Sequence, residues 1–152
     1  MKALTIAQPW ATLVAIGEKT VETRSWKTSY RGEIAIHAGK GLRPSGGQAG
    51  LTLLCNTRPF QRTLYKEGFV THNHCDFDAE PTAKMEFGAI IGVAELYDIV
   101  PAGEMAQYLS EMELASGHYS PGRFAWLLRN ARQIKPVPVK GRLGLWEVNL
   151  QT

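Results

Sequence analysis

The sequence has few cysteines and no long apolar run. Only Cys55 and Cys75 occur among 152 residues, so a disulfide framework is not indicated and a reducing cytoplasm is the simpler expectation, with a single pairing left open. No stretch approaches the length of a membrane span, so we expect no membrane partner. The N-terminus has a lysine and an apolar stretch, but Gln8, Pro9 and the shortness of the run argue against a signal peptide.

Neither sign of charge dominates, although the positive charges are clustered. A net charge of +3 accompanies a hydrophobic content of 44%, and the length predicts one soluble globular domain, residues 1–152. Six cations follow one another with no acid between them, which makes a candidate path for phosphates or a merely solvated face: Arg123, Arg129, Arg132, Lys135, Lys140 and Arg142. Three acids, Glu104, Glu111 and Glu113, fall on a predicted helix and would form an opposite, acidic side.

The densest set of charged and aromatic residues lies between positions 17 and 40. Residues 20–26 alternate as a strand, which places Glu22, Arg24 and Trp26 on one face. Because two of these side chains are charged, this face is not ordinary core.

A second strand is predicted for residues 33–38. Its alternation points Ile34 and Ile36 to a core, and His37 the opposite way. If the two strands pair, both polar faces line one cleft. Cations would stand at its rim, from the connecting turn and from just beyond the second strand: Lys27, Arg31 and Lys40. A carboxylate among cations and an indole suggests an anionic ligand that carries a ring.

The remaining patterns predict further strands with helices inserted between them. We expect strands over 2–7, 87–100 (with a bend or bulge at Gly92), from 123 onward and through 145–148. We expect helices over 9–16 and 101–115 and two short ones within 48–66. Trp10, Trp126 and Trp146 are assigned mainly to the core, as are the four residues at helical spacing in 101–115: Met105, Tyr108, Leu109 and Met112. Five or six strands in this order predict an α+β fold, a small mixed or mostly antiparallel β-barrel with peripheral helices.

Two loops have compositions that resemble functional sites, one a phosphate-binding loop and the other a metal site. The glycine-rich residues 39–50 lack the order of a phosphate-binding loop and are interpreted as a flexible connection, with a lid as the alternative. The later loop contains His72, His74, Cys75, Asp76 and Asp78, but this spacing is no recognised zinc pattern. We therefore predict no metal and no cofactor.

Several short motifs resemble those of the ASCH domain (activating signal cointegrator homology), a family within the PUA-like superfamily of small RNA-binding β-barrels. The most specific is the G-x-K-x-x-E-x-R pattern of residues 17–24. The others are QPWA at 8–11, RG at 31–32, IH at 36–37, GAIIG at 88–92, KG at 140–141 and GLW at 144–146. The likeness runs nearly end to end and leaves out mainly residues 68–86.

The resemblance implies a PUA-like barrel whose cleft meets single-stranded RNA or a nucleotide. Family members have been associated with nucleic-acid binding, with ribonuclease activity and with hydrolysis of an acetylated cytidine. In the amidohydrolase branch, the position of Glu22 is a threonine nucleophile, so this chain departs from that branch. By family analogy alone, Tyr119, Ser120 and Arg123 would border the cleft opposite Lys19.

A metal-independent ribonuclease needs a base for the 2′-hydroxyl proton, an acid for the leaving oxygen and cations for the phosphorane. Glu22 or His37 could be the base, and His37 or Lys19 the acid. The predicted binding residues are Arg24, Trp26, Lys27, Arg31, Lys40, Tyr119, Ser120, Arg123 and Lys140. The alternative for Glu22 and Arg24 is a structural ion pair beside Lys19.

Three functions therefore stand at this point. The first is a single-stranded RNA-binding module without catalysis. The second is a nuclease or nucleoside hydrolase using the same cleft. The third is an adaptor domain for a small molecule or an unidentified protein partner.

Overall fold

The computed structural model describes residues 1–71 and 79–151. Its strands are β1 (Lys2–Ile6), β2 (Val21–Arg24), β3 (Gly32–Ala38), β4 (Ala89–Pro101), β5 (Phe124–Pro138) and β6 (Leu145–Glu147). Its helices are α1 (Trp10–Ala15), α2 (Gly47–Cys55), α3 (Phe60–Lys66), α4 (Ala102–Met105) and α5 (Glu111–Ala115), with 3-10 turns at Arg43–Ser45 and Ala106–Tyr108.

The six strands form one mixed sheet in the order β2-β5-β4-β3-β1-β6. β1 and β3 run parallel, and the other neighbouring strands are antiparallel. The sheet curls into a half-barrel, in which Arg24 of β2 reaches the main chain of Thr5 on β1. The predicted α+β, PUA-like barrel class is confirmed. β2 and β3 do not pair, because β5 and β4 lie between them, and the curl of the sheet brings them to the same cleft.

The main apolar cluster packs α1 against one face of the sheet. It includes Ile34, Ile36 and Trp126, all fully buried. Gly92 of β4 lets α1 approach closely, since a Cβ there would lie 2.8 Å from the Cβ of Ala15. The pairing of β4 with β5 is irregular at the same point, so the predicted bulge is confirmed. On the opposite face, Trp146 packs with Ala3, Ala35 and Ile90.

A second apolar cluster gathers α2, α3 and the following segment beside α1. Leu51, Cys55, Phe60 and Leu64 form its centre, and Leu13 joins it to α1. Burial raises the pKa of the Cys55 thiol to about 11, so this cysteine is an inert core residue. The two short helices predicted within 48–66 are confirmed.

The single helix predicted over 101–115 is wrong. Leu109 is extended, with φ −98° and ψ 150°, and Ser110 begins α5 by accepting a hydrogen bond from Glu113 N. The break turns Tyr108 out to solvent, 76% exposed, so its assignment to the core is also wrong. Met105, Leu109 and Met112 stay partly buried against apolar clusters.

β5 is the longest strand of the sheet, and it continues through Pro136 to Pro138. Its pairing with β4 shifts register at three places. Arg123 precedes it and Val139 follows it, and both line the same cleft. No helix in 1–71 or 79–151 has the length and apolar character to cross a membrane.

Candidate nucleic-acid interface

One large cleft, of about 1120 Å³, opens where the sheet curls. Its walls come from β1, β2 and β3, the loop after β3, Arg123 just before β5, and the chain from the end of β5 to β6. The residues that line it include Thr5, Trp10, Glu22, Arg24, Trp26, His37, Lys40, Arg123, Lys140, Arg142 and Leu143. Seven of the predicted site residues are among them: Glu22, Arg24, Trp26, His37, Lys40, Arg123 and Lys140.

A carboxylate and a guanidinium form the floor of the cleft. Glu22 Oε1 lies 3.4 Å from Arg24 Nε, and Glu22 Oε2 lies 3.7 Å from Lys19 Nζ. Arg24 donates its hydrogen bond not to Glu22 but to the main chain, from Nη2 to Thr5 O at 2.8 Å. Neither Glu22 Oε2 nor Arg24 Nε has a hydrogen-bond partner among the described residues. The ion contacts are therefore present without the hydrogen bonds of a fully satisfied pair.

Lys19 lies beneath this floor and does not line the cleft. The side chain is 1% exposed, and its ammonium donates to the main-chain oxygen of Val21 next to Glu22. The turn after α1 places it there, since the amides of Glu18 and Lys19 both donate to Leu13 O. Lys19 thus supplies positive charge from below, and its catalytic role stays a prediction.

His37 is buried in the cleft wall, 1% exposed. Its Nε2 lies 2.9 Å from Val139 O, and because a carbonyl only accepts, Nε2 carries the proton. Nδ1 has no partner among the described residues. Burial lowers the pKa of His37, against a smaller opposing effect of the Val139 bond. The imidazole is therefore neutral near pH 7, and its acid or base role stays a prediction.

Four cations stand around this floor without a carboxylate partner among residues 1–71 and 79–151. They are Lys40, Arg123, Lys140 and Arg142. Arg123 donates instead to main-chain oxygens, from Nε to His118 at 3.2 Å and from Nη2 to Thr23 at 3.4 Å. Glu22 is the one carboxylate residue that the described part of the chain contributes to the lining, so the cleft is strongly positive.

Two indoles border the cleft. Trp26 packs edge to face against Trp126, with ring centroids 4.7 Å apart, and its carbonyl accepts from Trp126 Nε1 at 3.1 Å. Trp10 joins both large apolar clusters and also lines the cleft. Trp26 thus presents a partly exposed ring on a rigid support, while Trp126 and Trp146 are core residues as predicted.

The other predicted binding residues lie outside the cleft lining. Lys27 stands 5.6 Å from the ring centroid of Phe124, and Arg31 donates to the carbonyls of Thr28 and Tyr30. Ser120 Oγ lies 2.9 Å from His118 Nε2.

Tyr119 lies behind the floor of the cleft. Burial, with the negative charges of Glu113 and Glu22, strongly raises the pKa of its hydroxyl. For the four predicted binding residues outside the lining, a part in binding stays a prediction: Lys27, Arg31, Tyr119 and Ser120.

The basic stripe of the sequence divides in the structure. Arg129 binds Glu95 through two hydrogen bonds of 3.0 and 2.7 Å, which lowers the pKa of that carboxyl, and Arg132 donates to Glu33 at 2.9 Å. These two arginines are neutralised by neighbouring strands, whereas Arg123, Lys140 and Arg142 stay at the cleft.

The acidic side predicted from three glutamates is also incomplete, because Glu113 is buried. Its carboxylate accepts from the amide and hydroxyl of Thr20 and from Val21 N. Glu113 therefore fastens α5 to the start of β2. The sequence interpretation missed this role, although Ser110 followed by Glu113 is a capping-box pattern that locates the helix start.

Thr5 and Leu143 are further cleft residues to which the sequence interpretation gave no role, and Arg142, named there only in the basic stripe, also lines the cleft. Thr5 faces the cleft beside His37, its partner in the parallel β1–β3 register. The side chain of Leu143, beside Arg142, is 98% exposed, which the sequence around it did not show.

Within the described part of the chain, no three His, Cys, Asp or Glu side chains are grouped closely enough to hold a metal ion. The residues considered for a metal in the sequence, His72, His74, Cys75, Asp76 and Asp78, lie outside the described residues.

Comparison with known proteins gives one family and a small set of relatives. A family model of the ASCH domain matches residues 4–138. Activating signal cointegrator 1 from Mus musculus and from Homo sapiens are each 25% identical over 147 residues, which is 96% of this chain and 22% of the relative. The chain therefore spans less than a quarter of the length of these relatives.

Solved structures share the fold. The crystal structure of ASCH from Zymomonas mobilis has a TM-score of 0.53 and 17% identity, and a mutant of that protein has a TM-score of 0.52 and 18% identity. Each comparison covers 97% of this chain and 87% of the other. At these identities, the likeness shows the fold alone.

Proposed function

Because this chain belongs to the ASCH domain family, we propose that its cleft binds single-stranded RNA or a nucleotide. The observation that carries the proposal is the charge of the lining. Among residues 1–71 and 79–151, the lining contains the single carboxylate of Glu22 and five cationic residues: Arg24, Lys40, Arg123, Lys140 and Arg142. Phosphates are the anions that such a cleft attracts most strongly, and binding then weakens steeply with salt.

The rings beside the cations support a nucleic acid over a simple anion. Trp26 lines the cleft and is held by Trp126, so it can stack a base without first being ordered. Base–aromatic stacking contributes about 1–3 kcal/mol per base in single-strand binding. Phosphates at the cations and a base on Trp26 together account for both kinds of lining.

The proposal is tested by titrating labelled single-stranded RNA in EDTA at several salt concentrations. We expect binding whose logarithm falls linearly with the logarithm of salt concentration, by about 0.7 for each phosphate contact. Double-stranded DNA of the same length is the matched ligand control. Salt-independent failure to bind any oligonucleotide would overturn the proposal and favour an adaptor domain for a small molecule or protein.

Metal-independent RNA cleavage is a second candidate, supported by Glu22 among cations. In that reaction a base removes the 2′-hydroxyl proton and the 2′ oxygen attacks phosphorus to form a 2′,3′-cyclic phosphate. The bond to the 5′ oxygen then breaks, and this oxygen takes a proton from an acid. Glu22 would be the base. The geometry supports binding better than cleavage, because neutral His37 and covered Lys19 are poorly placed as acids.

Cleavage is tested by scoring product and gel shift in the same EDTA reactions. For a ribonuclease, Glu22→Gln abolishes turnover and leaves binding nearly intact, and Lys19→Ala also loses cleavage. A shift without any cleavage leaves a binding module. Acetylated cytidine is then the next substrate to assay, since a nucleoside amidohydrolase is the remaining catalytic alternative, with a carboxylate at position 22.

A further inference from the structure

The segment between β5 and β6, residues 139–144, lies along the cleft and is tied to the sheet through its main chain. We refer to it as the strap. His37 Nε2 donates to Val139 O at 2.9 Å, and Thr5 Oγ1 donates to Arg142 O at 3.2 Å. Trp146 Nε1 in turn donates to Thr5 Oγ1 at 3.2 Å. Side chains of β1, β3 and β6 thus fix both halves of the strap.

The strap carries two of the unpaired cleft cations. Lys140 and Arg142 are exposed and line the cleft, and neither has a carboxylate partner in the described ranges. A strap displaced from the sheet would move both charges away from Arg24 and Lys40. The position of the strap against the sheet therefore determines whether these cations can contact one ligand.

The strap rests directly on the imidazole. A Cβ built on Gly141 would lie 2.5 Å from His37 Cε1 and 2.8 Å from His37 Nδ1, so only glycine permits this approach. The contact covers Nδ1, which explains why that atom has neither solvent nor a partner. The imidazole and the indole of Trp146 pack edge to face, with ring centroids 5.6 Å apart. His37 therefore supports the strap by packing between Gly141 and Trp146.

We propose that His37 is a positioning residue that holds the cationic strap in place, so that Lys140 and Arg142 meet phosphates of the ligand. The inference rests on the proposed RNA or nucleotide binding. It assigns the imidazole to supporting phosphate contacts, in place of the acid–base role that the sequence suggested. Two features carry it: the Nε2 donor to Val139 and the fit of Gly141 over Nδ1.

The test compares salt dependence of RNA binding in the wild type, His37→Leu and Gly141→Ala. Both variants release the strap, one by removing the donor and one by steric displacement. If two phosphate contacts are lost, the slope falls by about 1.4, at about 0.7 per contact on a single strand. His37→Gln keeps a donor near the position of Nε2, and we expect it to restore most of the slope. Gly103→Ala is the matched glycine control, because nothing closer than 3.9 Å meets its Cβ.

Hydrogen exchange of the strap peptide in the unliganded protein provides a second readout. We expect faster exchange within residues 139–144 in His37→Leu and Gly141→Ala, and unchanged exchange in α1. Wild-type binding with the same salt slope in both variants would overturn the inference and leave the proposed function standing. Absence of salt-dependent binding in the wild type would overturn both.

Discussion

Arg24 Nη2 donates a hydrogen bond of 2.8 Å to the main-chain oxygen of Thr5, across the curl of the sheet. β2 and β1, which carry these residues, are separated by three strands in the sheet order. The bond therefore fastens one edge of the half-barrel to its far side. It also holds the guanidinium beside Glu22, so that fold closure and cleft charge depend on the same side chain.

Replacing Arg24 by methionine tests this closure. Arg24→Met keeps much of the apolar stem but removes the bond to Thr5 and one neighbour of Glu22. We expect a loss of about 1.5–3 kcal/mol in the free energy of unfolding, the range for hydrogen bonds to charged groups. Urea denaturation measures it. Arg31→Met is the control, since its hydrogen bonds to Thr28 O and Tyr30 O and its 3.6 Å contact with Asp98 are all exposed. Equal losses in both variants would contradict the interpretation.

Acid should destabilise the protein through His37. Burial lowers its pKa in the folded state, whereas in the unfolded chain it takes up a proton near pH 6.5. The unfolded state then binds more protons, so stability is lost as pH falls below about 6.5, by at most about 1.4 kcal/mol per pH unit. The measurement is urea denaturation at pH 7.5 and 5.5. His37→Gln should lose less stability between these pH values than the wild type, and equal losses would count against this origin.

Glu113→Gln should loosen the start of β2. The carboxylate accepts from Thr20 N, Thr20 Oγ1 and Val21 N, and a carboxamide offers one acceptor oxygen fewer. We expect a cost of about 1–3 kcal/mol for the buried donors left unpaired. Thermal unfolding measures it, with Glu111→Gln as the exposed control on the same helix. A shift no larger than that of the control would show that the buried carboxylate is dispensable.

Gly92→Ala should separate α1 from the sheet. The added Cβ would lie 2.8 Å from Ala15 Cβ and 2.9 Å from the main-chain oxygen of Arg132. Since neither neighbour is a flexible side-chain end, we expect overpacking to cost about 1–3 kcal/mol. Denaturation in urea gives the value, and Gly103→Ala serves as the unhindered glycine. A neutral effect at position 92 would mean that α1 shifts without cost.

Lys40→Ala tests the proposed rim by RNA binding. Removing one phosphate contact should lower the salt slope by about 0.7 and weaken binding at low salt for every sequence tested. Fluorescence anisotropy with a labelled single strand measures both quantities. Lys66→Ala removes an equal charge from the end of α3, which does not line the cleft. If the two variants lose the same affinity, binding depends on overall charge and not on the rim.

Local patterning of the sequence predicted two of the central strands: alternation predicted β3, with Ile34 and Ile36 in the core, and an apolar run rich in β-branched residues predicted β4. It could not give the strand order, because pairing between β2 and β5 joins residues far apart in the chain. The failure over 101–115 has a local cause. Met105, Leu109 and Met112 have helical spacing and are partly buried, but Ser110 starts a new helix at the point where Leu109 becomes extended.

The cleft was predictable in part for the same reason. Glu22, Arg24 and Trp26 were placed together by strand alternation, and they line the cleft. Which cations of the basic stripe are neutralised was not predictable. Arg129 and Arg132 pair with Glu95 and Glu33, which come from other strands. Nor does the linear sequence show that Gly141 rests on His37, a contact between the strap and β3.

The bent course of β5 makes the length of this strand part of the binding surface. A straight strand of 15 residues would extend roughly 50 Å at about 3.4 Å per residue, yet Arg123 before it and Lys140 after it line one cleft. An insertion or deletion of one residue inside β5 would turn every later side chain to the opposite face. The number of residues between Arg123 and Lys140 therefore determines whether both cations face the cleft.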